Sequence, residues 1–195
     1  EMCIRDSNKI PDQMVLADIK LAGSVPTDVI LFNIDSKSEV NGKQSKDAIV
    51  SVLQNVFNEK QGFSGTNPFL ADLERKLTEE KKYNLFKEKF EDSFGSTWEE
   101  SRSDFDFIQD DVVEVLDEIG FMSIEAGRNW CEKATGEYAY KVEDFVRLVK
   151  KYLDKKESNH HIVFLIDEIG QYIGDDSKLM LNLQTCLLYT SPSPR

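Results

Sequence analysis

The chain has 195 residues, 36 of them acidic against 24 basic, with a formal net charge of -12 at pH 7 and a hydrophobic fraction of 40%. That balance is globular, and its acidity argues against a broad DNA-tracking or membrane-binding surface, since phosphates repel an acidic face. The length suits one domain or a substantial part of one.

The two ends read apart from the rest. Met2-Cys3-Ile4-Arg5-Asp6-Ser7 back-translates to ATG TGT ATA AGA GAC AGN, a match to the mosaic-end adaptor of transposase-made sequencing libraries. Cys186-Leu187-Leu188-Tyr189-Thr190-Ser191 back-translates to the opposite strand, TGT CTC TTA TAC ACA TCT, and Glu1 and Pro192 to Arg195 fit its continuation. Residues 1–7 and 186–195 are therefore set aside as adaptor-derived, like a fusion scar, and residues 8–185 are expected to be an internal piece of a longer protein. Charges at the ends cancel, so the acidity belongs to the interior. Cys131 is then the one cysteine left, which leaves no internal disulfide and no cysteine zinc site. With no signal segment visible, a reducing cytoplasm is the expected compartment.

In chain order, a short apolar piece spans Met14 to Leu21, followed by turn signals at Gly23 and Pro26. Asp28-Val29-Ile30-Leu31-Phe32-Asn33-Ile34-Asp35 is an apolar run closing on an acid and predicts a buried strand. A polar stretch with an Asn41-Gly42 turn leads to a helix whose apolar face is Ala48, Ile49, Val52, Leu53, Val56 and Phe57, with Ser45 or Asp47 as its cap. Asn67-Pro68 starts another helix, with proline at the first position. Helices are expected at Pro68 to Leu77, Lys82 to Phe94, Trp98 to Ser103, Phe105 to Ile119, Ser123 to about Thr135, and Val142 to Lys156. The acids of the fourth, Asp110, Asp111, Glu114, Asp117 and Glu118, read as solvated surface. The lysines ending the last oppose its negative dipole end.

His160-His161-Ile162-Val163-Phe164-Leu165-Ile166-Asp167-Glu168 follows, with five large apolar residues ahead of two acids. It predicts a strand buried on both faces, as in a parallel sheet, whose carboxyl end places Asp167 and Glu168 where open α/β sheets bind ligands. The pattern is that of a Walker B strand, in which an Asp helps to hold Mg²⁺ and a following Glu orients the attacking water. The same residues also suit a plain helix cap or strand end. After a turn through Gly170 to Gly174, a helix begins at Asp175 or Asp176. The expected fold is thus α/β: a partial, AAA-like P-loop NTPase parallel sheet whose two strands are separated by a large helical insertion, about residues 62–158, with the acidic strand at 162–168.

No GxxxxGK[ST] phosphate loop is present; Gly42-Lys43-Gln44-Ser45 imitates only its tail. Adjacent His160 and His161 point to opposite faces of a strand and do not chelate together. Cys131 beside Trp130 reads as a buried, inert thiol. Arg75, Arg102, Arg128 and Arg147 are possible arginine fingers that otherwise serve as surface or ion-paired residues.

Taken together, Asp28 to Ser38, Asn67 to Arg75, Asp106 to Asp110, Ile119 to Met122, Arg128 to Lys133 and His160 through Thr185 resemble, in order, the large P-loop ATPase of bacteriophage-exclusion (BREX) systems, the BrxC/PglY family. The resemblance implies an ATP-binding and hydrolysing protein of an anti-phage defence complex, with ATP and Mg²⁺ as cofactors, Asp167 as the Mg²⁺-associated acid and Glu168 as the catalytic, water-activating acid. It also implies other BREX proteins as partners, an oligomer, association with DNA only through the complex, no membrane, and the cytoplasm. The alternative is a non-hydrolysing nucleotide-binding or assembly scaffold of the same complex.

Overall fold

The computed structural model describes residues 12–34 and 48–190. Helix α1 (Gln13–Ser24) precedes strand β1 (Thr27–Asn33). Then come α2 (Ala48–Lys60), α3 (Pro68–Glu79), α4 (Tyr83–Phe94) and α5 (Trp98–Ser101), a 3₁₀ segment (Arg102–Phe107), α6 (Gln109–Glu118), α7 (Ile124–Ala134) and α8 (Val142–Leu153). Strand β2 (His161–Asp167), α9 (Ile169–Ile173) and α10 (Ser177–Thr190) complete it. The protein is thus mixed α/β, mostly helical, with a two-stranded parallel sheet whose strands bracket the helical run. The register sets Thr27 opposite His161 and Asn33 opposite Asp167, so both strands end at one rim.

Local chemistry sets the helix boundaries. The Asn67 side chain accepts from the Phe69 and Leu70 N–H groups with proline next in line, and Ser123 accepts from the Ala126 N–H. Gly95 closes α4 with φ of 81°, a conformation that a side chain disfavours. The helix expected from Phe105 begins only at Gln109, because Asp104 breaks the helical geometry and the 3₁₀ segment runs to Phe107. The stretch read as a turn after Gly170 is instead the single-turn helix α9. The polar residues 35–47, with the Asn41-Gly42 turn, the Gly42 to Ser45 imitation loop and the proposed caps Ser45 and Asp47, lie outside the described residues, as do residues 1–11 and 191–195 of the ends.

The helical run divides into two packing groups. One core joins β1, α2, α8 and α9 to Leu179 of α10, around Ile34, Ile49, Phe57 and Phe145. The other joins α3 through α7 around Leu70, Phe86, Phe90, Trp98 and Leu116. We call these the sheet lobe and the helical lobe. Helix α8, expected within the insertion, belongs to the sheet lobe. Helix α2 also departs from expectation: residues 48–58 are buried all round, including the polar Gln54, Asn55 and Asn58. Those three amides face the helical lobe and its connection to α8, where they bond Tyr138, Tyr140 and Arg75.

The sheet is covered on one face only. Ile30, Phe32, Ile162, Phe164 and Ile166 pack into the sheet lobe, while Val29, Leu31, Val163 and Leu165 on the other face are exposed, Leu31 at 73%. This corrects the expectation of a strand buried on both faces: the apolar run alternates inward and outward, and no described element lies over its outer residues. Among the described residues no helix is long and apolar enough to cross a membrane.

Candidate functional site

Parallel pairing brings the carboxyl ends of β1 and β2 side by side, and three polar residues meet there. Asn33 and Asp167 are register partners whose side chains share the open face. Glu168 follows in the left-handed conformation, with φ of 61°, uncommon for a residue that is not glycine and costly by about 1–3 kcal/mol. That turn lets the chain leave the strand and enter α9, where the Gln171 and Tyr172 N–H groups donate to the Glu168 carbonyl.

The Glu168 carboxylate is not used as a cap. Its Oε2 instead accepts from the Asn33 amide across the strands at 2.5 Å, while the Glu168 N–H donates to Asp167 Oδ1 at 2.9 Å. Both acids are exposed. The rim thus offers two carboxylates, hard donors of the kind that bind Mg²⁺, which is held through one or two carboxylates and completed by phosphate oxygens and water. Among the described residues no group of three or more His, Cys, Asp or Glu is placed to hold a metal ion unaided.

The other residues singled out from sequence lie elsewhere. At the opposite rim His160 Nε2 and the Tyr152 hydroxyl lie 2.8 Å and 2.6 Å from Asp28 Oδ2, with Lys156 at 3.8 Å. The Tyr152 bond leads in holding the Asp28 carboxyl below its usual value, with His160 and Lys156 assisting against desolvation. His161 begins β2 and is exposed. Cys131 is buried in α7, where desolvation pushes its thiol up to about 11.

Of the arginines, Arg75 is bound to Asp72 and Asn58, and Arg102 to Glu74 and the Gly62 carbonyl. Exposed Arg128 and Arg147 pair loosely with Asp110 and closely with Asp144. The five acids of α6 are all exposed, as expected.

Two residues escaped sequence reading. Asn33 looked like one more strand position, and aligning the two runs by their terminal acids, Asp35 and Asp167, would have set it beside Leu165; the strand register is what places it beside Asp167. Glu74 sits between Leu70, Leu73 and Leu77 on the buried face of α3, so an acid at a core spacing was the available signal. No protein-family model matches the chain, and no solved structure matches it.

Proposed function

We propose that the rim formed by Asn33, Asp167 and Glu168 is the acidic half of a Mg²⁺-nucleotide site, and that the chain carries the Walker B segment of an AAA-like P-loop ATPase. This is the class implied by its resemblance to the BREX defence ATPases. One observation carries the reading: at the carboxyl ends of two parallel strands, the Asp-Glu pair keeps two exposed carboxylates at the rim, with Glu168 held by Asn33 across the strands and not spent as a cap on the next helix.

Asp167 would hold Mg²⁺, since among the described residues only one of its oxygens is engaged, and by the Glu168 N–H. Bound there, the ion would neutralise charge on the β- and γ-phosphates. Glu168 would orient the attacking water and take its proton, with the Asn33 amide fixing the carboxylate that does so. The reading requires a phosphate-gripping loop, which no stretch of this sequence matches. Partnership with other defence proteins, oligomerisation, DNA association through the complex and a cytoplasmic location belong to the same reading.

The test is the parent protein carrying Glu168→Gln. It should retain ATP binding and lose turnover by about 10²-fold or more; turnover at the wild-type rate overturns the assignment. The second reading is a non-hydrolysing nucleotide-binding or assembly scaffold of the same complex. A phosphate loop in the parent gene, with hydrolysis that depends on it, rejects that second reading.

A further inference from the structure

The seam between the two lobes is polar and imperfectly filled. Along it, α3 and α8 line two adjoining clefts of about 330 Å³ and 400 Å³ that share Arg75, Glu79, Leu148 and Lys151. The larger volume lies at the lower end of the range of about 300–1,000 Å³ found for ligand pockets. Part of the lining is apolar, from Phe63, Leu148 and the ring of Tyr152.

The charge here runs against that of the chain. Five cations line the clefts, Arg75 and Lys76 on α3, Arg147 and Lys151 on α8 and Lys155 just past its end, against three carboxylates. Asp72 engages Arg75 at 2.7 Å and Asp144 engages Arg147. Lys151 and Lys155 share the single carboxylate of Glu79 at 2.7 Å and 3.0 Å, and Lys76 has no ion pair among the described residues. The excess positive charge therefore rests on Lys76 and the Lys151–Lys155 pair.

Two buried polar atoms also lack partners there. Gln54, only 3% exposed, lines the larger cleft and bonds Tyr138 through Nε2, leaving Oε1 without a partner; reversing the amide would leave Nε2 unpartnered instead. Arg75 Nε is likewise buried and unpartnered, in a guanidinium that lies 5.2 Å from the Phe63 ring centre. Buried groups without partners are rare in native proteins, and a bound ligand is one explanation for them.

We propose that this seam binds a small organic oxyanion, a phosphate or carboxylate on a polyhydroxylated body, held by Lys76, Lys151 and Arg75 with a polar group of the ligand meeting the Gln54 amide. The site is distinct from the acidic rim. Tyr152, which lines the smaller cleft, donates to Asp28 at the amino-terminal ends of the strands, about 20 Å of extended chain from Asp167. A ligand seated there touches both lobes and ties them together.

The test is a two-dimensional NMR titration of the full 195-residue chain with ribose 5-phosphate, with gluconate as the carboxylate counterpart and ribose as the neutral control. We expect saturable shifts in α3, in α8 and in the Gln54 side-chain amide, with a dissociation constant below about 1 mM for at least one oxyanion. A K76Q/K151Q variant, both positions exposed, should weaken binding at least about tenfold while leaving the melting temperature unchanged. The arm that binds identifies the oxyanion. No saturation by about 10 mM in either arm, equal shifts with ribose, or undiminished binding in the variant overturns the proposal.

Discussion

Replacing Glu74 tests the helical lobe at a point where four of its polar bonds converge. The residue is 0% exposed and both its carboxylate oxygens accept hydrogen bonds. Oε1 accepts from Trp98 Nε1 at 2.7 Å, Arg102 at 2.9 Å and the Tyr83 hydroxyl at 3.1 Å, and Oε2 accepts from the Ser64 N–H at 2.6 Å. One carboxylate thus joins the loop after α2 to α3, α4, α5 and the 3₁₀ segment. Glu74→Ala leaves a guanidinium without its partner and the buried indole N–H without an acceptor. Breaking a buried pair costs about 3–5 kcal/mol, and the orphaned donors lie within the same loss because they share one acceptor. Glu74→Gln keeps an acceptor for three donors but turns its NH₂ toward the Ser64 N–H, which costs about 1–3 kcal/mol. Both tryptophans, Trp98 and Trp130, belong to the helical lobe, so urea unfolding followed by tryptophan fluorescence reports on it. With a slope of roughly 2 kcal/mol/M, the alanine variant should unfold about 2 M earlier than wild type. A loss under about 1 kcal/mol for Glu74→Ala, or no coupling to Arg102→Met in a double-mutant cycle, would refute this account.

Asp28 gives a pH signature. Its folded-state carboxyl is depressed, chiefly by the Tyr152 bond, so its contribution is present above the unfolded value of about 3.9 and lost as the pH falls through the folded value. The stability gap between wild type and Asp28→Asn should be constant near neutrality and close below about pH 4, as read from denaturation curves at stepped pH. Cys131 should resist a thiol reagent at pH 8 in the native chain and react once urea is added, with peptide mass mapping separating it from Cys3 and Cys186, because its thiol is buried and its ionisation is pushed up to about 11. Leu31→Thr and Leu165→Thr on the uncovered face should each cost under about 0.5 kcal/mol and reduce self-association in sedimentation.

What the sequence disclosed follows from how local each signal is. Both strands, their acidic end and the caps at Asn67 and Ser123 were legible, because apolar runs, side-chain caps and proline at a first turn are set by neighbours a few residues apart. The burial of α2 was not. Its apolar positions predict one buried face, but Gln54, Asn55 and Asn58 are enclosed by residues far along the chain, Tyr138, Tyr140 and Arg75, and such contacts leave no periodic trace. The division into two lobes was hidden for the same reason, since nothing in the pattern of α8 assigns it to the sheet instead of the helices before it. At the rim, Asp167 and Glu168 could be named from sequence, whereas Asn33 required the register between strands well over 100 residues apart.

The uncovered sheet face bears directly on the proposed nucleotide site. Residues of odd number on both strands point the same way, so Asn33 and Asp167 stand on the face that carries Val29, Leu31, Val163 and Leu165. Parallel sheets are ordinarily covered on both faces, and an apolar strip of this kind is what a further layer would bury. Any element that packs on the strip ends its approach at the two acids, and a helix doing so with its amino terminus toward the rim would bring free N–H groups to the oxygens of a phosphate beside Asp167. Under the ATPase reading, the phosphate-gripping half therefore enters from this face, and the hydrophobic layer and the catalytic centre are completed together.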